Sequence, residues 1–383
     1  MKRYMNVIAI AVLALGLSLS GCGTQPKAQN LPDPQVGENG QPPEAEADAG
    51  RQDVLGPDKR IVMGFYTDEE AAIPGSVESM SQHLQAMDEV AFFWYSFDGA
   101  GNVTRMGNVD LGIKETAQAQ GAKAYALVHN LIEGQFDADL AHRVLATAAT
   151  RSAFVNNLMS LVMNEQWDGI SIDIEKTPPA DRDNYSAFLN ELGKALKAKD
   201  KILNVSIPAK YQDYPADLWS GAYDYTAIGE AADQVILMTY DEHGLGTTQG
   251  PIASVSWVNR VLDFATGQIP KEKIVMGLPV YAFDWGSDKP NQPAYLSYAQ
   301  SLERAKAQGV SVLFDENSQE SHYTYTSAGV RHEVYLENAR SLAAKLENAK
   351  EHQLHGVAIW RLGMEDPAMW DNVIKTYGTN NQQ

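Results

Sequence analysis

Eight short apolar runs, spaced by amphipathic segments, constrain this 383-residue chain more than any other feature. They are Ile61–Tyr66, Glu89–Tyr95, Ala124–Val128, Gly169–Ile174, Ile202–Ile207, Gln234–Tyr240, Ile274–Tyr281 and Gly356–Trp360. They are rich in Val, Ile, Phe and Tyr, and several are apolar without alternation, as strands buried on both faces are. Between them, Ala141–Met163, Arg182–Ala198 and Ser256–Thr266 carry helical periodicity. Alternating strand and helix signals predict a parallel sheet. Eight such units within residues 60–383 predict an α/β fold of the (β/α)8 TIM-barrel type, with functional groups at the C-terminal ends of the strands. An open doubly wound sheet is the alternative. No Gly-rich phosphate turn follows the first run, so that alternative lacks its usual dinucleotide motif.

The segment between the seventh and eighth runs is long. It holds a helical stretch at Leu296–Gln308, strand-like pieces at Val310–Phe314, Tyr323–Thr326 and Val330–Tyr335, and a further helix at Glu337–Ala349. This pattern predicts a small α+β insertion at about residues 288–340, forming one wall above the barrel mouth.

The N-terminal region has a different character. Lys2 and Arg3 precede an apolar run, Val7–Leu19, that is short for a membrane span. It ends in Leu19-Ser20-Gly21-Cys22, which resembles the bacterial lipobox. The resemblance implies a signal peptide over residues 1–21 and lipidation of Cys22, the sole cysteine of the chain. Residues 22–59 then read as a disordered linker. Gly23–Lys59 carries six prolines, five glycines and seven acidic residues, with few aliphatic side chains to offset the entropy of ordering it. The expected arrangement is a folded barrel domain from residue 60 onward, held off a membrane by a lipid anchor on the extracytoplasmic side of a bacterial envelope. A monomer is expected.

Charge narrows the partners. The chain has 30 Lys+Arg against 49 Asp+Glu, a formal net charge of −19, and no basic face of the kind that binds nucleic acid. A single cysteine excludes an intrachain disulfide framework and multi-cysteine metal sites. Neither a metal nor a cofactor is expected. His322 and His332 lie in the insertion without a metal-ligand constellation, and His129-Asn130 follows the third run, where it could reach a substrate, although a lone His is more often a satisfied structural residue.

The densest chemistry lies in Trp167-Asp168-Gly169-Ile170-Ser171-Ile172-Asp173-Ile174-Glu175. Side chains alternate across a strand, so Ser171, Asp173 and Glu175 share one face and the isoleucines the other. In a barrel the polar three face inward and the isoleucines pack under the helices. Two carboxylates two residues apart on an inner face raise each other's proton affinity, which suits a general acid.

These residues resemble the strand-four signature Asp-x-x-Asp-x-Asp-x-Glu of glycoside hydrolase family 18. Asp168, Asp173 and Glu175 match, and Ser171 stands where the middle aspartate usually is. Met238-Thr239-Tyr240-Asp241 is similar to the family's strand-six motif, Gly277-Leu278-Pro279-Val280-Tyr281 to its strand-seven motif, and Trp360 to the tryptophan beneath the bound sugar. The departure at Ser171, together with Arg331–Glu337 and Trp360–Gly363, resembles the branch of spore-cortex and peptidoglycan N-acetylglucosaminidases. The resemblance implies substrate-assisted catalysis with retention, in which the substrate's own acetamide is the nucleophile. It casts Glu175 as acid and base, Asp173 as the partner of the acetamide N–H, and Tyr240 as donor to the acetamide carbonyl. Trp360, Asp241, Tyr66 and Tyr281 would bind the sugar. At position 171, serine can hydrogen-bond Asp173 but carries no charge.

The expected function is cleavage of β-N-acetylglucosaminyl linkages in peptidoglycan or its fragments. The alternatives are a chitinase or chitooligosaccharide hydrolase, and a catalytically silent glycan-binding lipoprotein.

Overall fold

The computed structural model describes residues 60–379, apart from 71, 72 and 108; Cys22, the signal segment 1–21 and the linker 22–59 lie outside them. Eight parallel strands form a ring: Ile61–Tyr66, Glu89–Phe97, Lys123–His129, Gly169–Asp173, Ile202–Pro208, Gln234–Met238, Ile274–Pro279 and Gly356–Trp360. The first strand closes it, pairing with the eighth through Ile61–Gly64 and with the second through Met63–Tyr66. This is the (β/α)8 barrel expected from the eight apolar runs, with some strand ends shifted by one or two residues.

Strand alternation makes two layers. Val62, Phe92, Ile170, Ile172, Ile174, Val205 and Leu237 join the buried layer beneath the helices. Met63, Phe65, Ala91, Leu127, Ile236 and Ala358, on the other face of the same strands, are buried within the ring. At the N-terminal end of the ring the filling is polar. Glu89 accepts from the Tyr125 hydroxyl at 2.8 Å and from Gln234 Nε2 at 2.9 Å, and burial pushes its carboxyl up to about 7. Gly169 is required for close packing, since a Cβ there would stand 2.2 Å from the Ile202 carbonyl oxygen.

The helical pattern at Ala141–Met163 resolves into two helices, Ala138–Leu145 and Ala148–Asn164. The break has a local cause: Thr147 and Thr150 form a capping box that starts the second helix. Arg182–Lys197 and Val255–Thr266 form as the periodicity implies. No helix among the described residues is long and apolar enough to cross a membrane.

The insertion sheet starts at Tyr281, before the boundary near residue 288 that the sequence suggests. Its five antiparallel strands run, in spatial order, Ala294–Ser297, Tyr281–Gly286, Val330–Leu336, Glu320–Ser327 and Leu313–Asp315. Ala339–Glu351 then returns as a helix of the barrel, packed on the seventh and eighth strands. The sheet and the helix Tyr298–Ala307 bury a small core of Ala282, Leu296, Ala305, Tyr323, Val334 and Leu336. A buried polar knot supports it. Asp284 receives the Tyr325 hydroxyl at 2.6 Å, lies 2.8 Å from His332 Nδ1 and pairs with Arg304. A second knot ties the insertion to the barrel: buried Lys345 lies 2.7 Å from Glu337 and 3.5 Å from Glu320. Glu320 in turn accepts the backbone N–H groups of Ile252 and Ala253, in the loop after the sixth strand.

Candidate active site

The fourth strand carries the two central carboxylates to the C-terminal mouth of the ring. Ser171 and Asp173 face inward, in register with Asn204 and His129 of the flanking strands. The ladder ends at Asp173, so Glu175 stands two residues beyond the strand. Its position is set by neighbours. Asn130 Oδ1 accepts the Glu175 backbone N–H at 2.9 Å, and Asn130 Nδ2 donates to the Glu175 carbonyl at 2.8 Å. The Tyr223 hydroxyl donates to the preceding carbonyl, that of Ile174, at 2.8 Å. In the sequence Asn130 shows only as an amide one residue past an inward strand end, where it meets the next strand.

Electrostatics separate the roles of the pair. Burial pushes Asp173 up to about 7. Burial lifts Glu175 well above the usual carboxyl range, and the charges of Asp173 and Asp241 lift it further. A raised proton affinity at Glu175 is what a general acid requires. Ser171 Oγ makes no hydrogen bond among the described residues, so the bond from Ser171 to Asp173 open to it in the sequence is not formed. Residues two apart along a strand stand roughly 6.6 Å apart, too far for a short serine side chain.

The sixth and seventh strands supply the facing wall. Tyr240 is half-buried and shares the mouth with the carboxylates: after burial, Asp173, Glu175 and Asp241 are the groups that raise its hydroxyl's proton affinity. Its ring meets that of Tyr281 edge-on at 6.4 Å. Gly277 makes room for it, because a Cβ there would lie 2.8 Å from Tyr240 Cε1. Tyr281 donates its hydroxyl to Asp241. Desolvation nonetheless holds the Asp241 carboxyl up, to about 6. Asp241 has φ of 60°, a left-handed conformation that costs a non-glycine residue energy and recurs at functional sites.

Trp360, half-buried at the end of the eighth strand, meets Phe65 edge-on at 5.3 Å and Phe93 at 5.7 Å. The peptide following it is cis. Tyr295, from the insertion, packs on Tyr281 at 4.8 Å and lies near the Arg361 guanidinium. Its place on a short strand of the insertion gave the sequence no signal for it. His129 is buried and stacked on Phe93 at 3.9 Å, its Nδ1 accepting the Leu131 N–H at 3.1 Å. Burial pushes its pKa down to about 3, so it is neutral.

The structure thus brings together Glu175, Asp173, Tyr240, Asp241, Tyr281 and Trp360. Tyr66 is the exception. It packs against Phe92 and Trp94 in the helix-facing layer, at ring distances of 5.1 and 5.3 Å. Alternation explains the correction: Phe65 takes the inward place on that strand, so Tyr66 cannot. Among the described residues, no group of three His, Cys, Asp or Glu side chains is arranged to hold a metal ion.

Residues 62–365 match the profile of Glycosyl hydrolases family 18. The chain belongs to this family. Among its relatives, the Bacillus subtilis (strain 168) glycosylase YvbX is 30% identical over 329 residues, covering 82% of this chain and 95% of that protein. Among solved structures, a chitinase from Chromobacterium violaceum ATCC 12472 superposes with a TM-score of 0.77 at 30% identity, covering 85% of this chain and 99% of that one. The Bacillus megaterium QM B1551 spore cortex-lytic enzyme SleL superposes with a TM-score of 0.75 at 26% identity, covering 84% and 75%. As a family 18 glycosidase, the chain carries the carboxyl groups of Glu175 and Asp173 at the mouth of the barrel.

Proposed function

We propose that the protein is a retaining β-N-acetylglucosaminidase of peptidoglycan or its fragments. The observation that carries the chemistry is the convergence of Asp173 and Glu175 with Tyr240, two residues past the sixth strand, and Trp360 at the end of the eighth. Glu175 protonates the leaving glycosidic oxygen while the substrate acetamide oxygen attacks its own anomeric carbon. Asp173 holds the acetamide N–H and stabilises the oxazolinium as its positive charge forms. Tyr240 donates to the acetamide oxygen, and Trp360 stacks beneath the ring. Asp241, held by Tyr281, hydrogen-bonds the distorted sugar. Glu175, now ionised, then takes a proton from the water that opens the intermediate. This is positioning and electrostatic stabilisation, with each well-placed donor contributing about 3 kcal/mol to the transition state.

Peptidoglycan as substrate draws support from the likeness to a spore cortex-lytic enzyme and from the lipobox-like Cys22, which would tether a single chain beside the wall. A chitooligosaccharide substrate is the second reading, favoured by the likeness to the Chromobacterium chitinase. A silent glycan-binding role would call for loss of the acid, and Glu175 is present.

The test is to incubate the domain from Arg60 with vegetative wall, cortex wall and chitin oligomers, and to identify new reducing ends by mass spectrometry. New N-acetylglucosamine ends from a wall, absent with Glu175→Gln, are expected. Cleavage of chitin oligomers alone would transfer the activity to the second reading. Binding without products from any substrate would sink the enzymatic one.

A further inference from the structure

An open groove of about 360 Å³ lies beside the catalytic acid, lined by Ala138, Lys176, Pro178, Pro179, Leu218 and Trp219. Around the mouth, the sixth, seventh and eighth strands supply the sugar-binding wall of Tyr240, Asp241, Tyr281 and Trp360. The groove belongs to the other arc, the loops after the third, fourth and fifth strands, and Glu175 stands between the two. Lys176, which lines the groove, follows Glu175 directly in the chain.

Two features show what the groove is suited to hold. The first is an apolar ledge kept in water. Leu218 is 82% exposed and Trp219 50% exposed, yet their loop is firmly built. Asp217 accepts the N–H groups of Trp219 and Ser220 at 3.0 and 2.7 Å and the Ser220 hydroxyl at 2.9 Å. Arg182 and Lys210 fasten the loop through the carbonyls of Gly221 and Tyr223, at 2.7 and 2.6 Å. An indole held out by a rigid loop is a stacking platform rather than a failure of burial. The second feature is charge. Lys176 follows the acid directly, is half-buried, and has a left-handed φ of 52°. Its positive charge acts on Glu175. The other cations of this region are engaged, Arg182 with Asp213 and Asp224, and Lys210 with Asp213. Lys176 has no ion pair among those found for the described residues.

We propose that this groove is the leaving-group subsite and that Lys176 selects a sugar bearing a free carboxylate, a muramic acid whose lactyl group carries no stem peptide and is not closed to a lactam, with Trp219 stacking on it. The inference rests on the peptidoglycan reading above and names which wall glycan the site prefers. A muramic δ-lactam has no such carboxylate, and neither has a chitin unit.

The experiment compares kcat/KM on three glycans that share N-acetylglucosamine on the cleaved side. Their leaving sugars are muramic acid, muramic δ-lactam and N-acetylglucosamine. Lys176→Gln should lower the acid-to-lactam preference about fivefold, an effect of the size expected for one partly exposed ion pair. Lys176→Arg should restore it, and added salt should erode it in the wild type. The ratio cancels any effect of Lys176 on Glu175, because that effect falls on all three substrates. An unchanged ratio overturns the inference while leaving the peptidoglycan reading in place. A wild type inactive on every glycan removes the peptidoglycan reading instead. The groove is then judged by quenching of tryptophan fluorescence with N-acetylmuramic acid. Loss of that binding in both Trp219→Ala and Lys176→Gln supports the subsite, and equal binding in all three proteins overturns it.

Discussion

Asn130 grips the backbone of Glu175 from both sides, accepting its N–H at 2.9 Å and donating to its carbonyl at 2.8 Å. The same Nδ2 also donates to the Asp137 carbonyl at 2.9 Å, which anchors the amide to the start of the next helix. The strand ladder has ended by residue 175, so this amide replaces the missing sheet partners.

Asn130→Ala should therefore misplace the acid without removing it. A displacement of about 1 Å at a reacting group costs on the order of 10²-fold in rate. The expected outcome is a large fall in kcat, little change in KM, and a modest loss of melting temperature. Steady-state kinetics beside calorimetry distinguish this from general unfolding. If kcat and KM both stay at wild-type values, the clamp is not what positions Glu175.

Ser171→Asp restores a third carboxylate to the inner face of the fourth strand. Asp173 already sits near 7 through burial alone. A further negative charge below it raises the proton affinity of Asp173 again, because like charges in one low-dielectric site disfavour ionisation. The acid limb of the kcat/KM–pH profile should move to higher pH, with activity retained at the optimum. An unchanged profile in the variant refutes a link between residue 171 and the titration of Asp173.

Lys345→Met should be among the most destabilising single substitutions in the chain. It leaves Glu320 and Glu337 buried together without their cation, and removing one partner from a buried charge cluster costs about 3–5 kcal/mol. Glu320 is already pushed well up by burial and by Glu337. Acid should relieve the variant, since a protonated carboxyl needs no counter-charge. Denaturant melts of both proteins at pH 5 and pH 8 measure this, and a variant as stable as the wild type at pH 8 would falsify the account.

The barrel was legible because its signal is periodic. Eight apolar runs and the alternation of Ser171, Asp173 and the isoleucines carry the fold and the catalytic face without any tertiary information. What was hidden depended on single residues meeting across the ring. Tyr66 and Phe65 are both aromatic, and only register against the neighbouring strands decides which one faces Trp360. Tyr295 and Asn130 act through contacts between segments far apart in sequence, which no local pattern records. The break at Thr147 was written in a capping box that hydrophobic periodicity runs straight through.

Glu175→Gln should abolish turnover and yet stabilise the fold above neutrality. The Glu175 carboxyl is held well above its ordinary range by burial and by Asp173 and Asp241. Below about pH 4.5 the group is protonated in both the folded and the unfolded chain, and it exerts no pH-dependent cost. As pH rises past that value, the unfolded chain releases the proton freely while the folded chain resists. The folded state then loses up to about 1.4 kcal/mol per pH unit until the folded group itself ionises. Glutamine has the same shape and never ionises, so it escapes this loss. Calorimetric melting temperatures should coincide for the two proteins near pH 4 and separate in favour of the variant by pH 8. A variant that melts below the wild type at pH 8 would mean that Glu175 is stabilised as an anion in the folded protein, which would contradict its role as the proton donor.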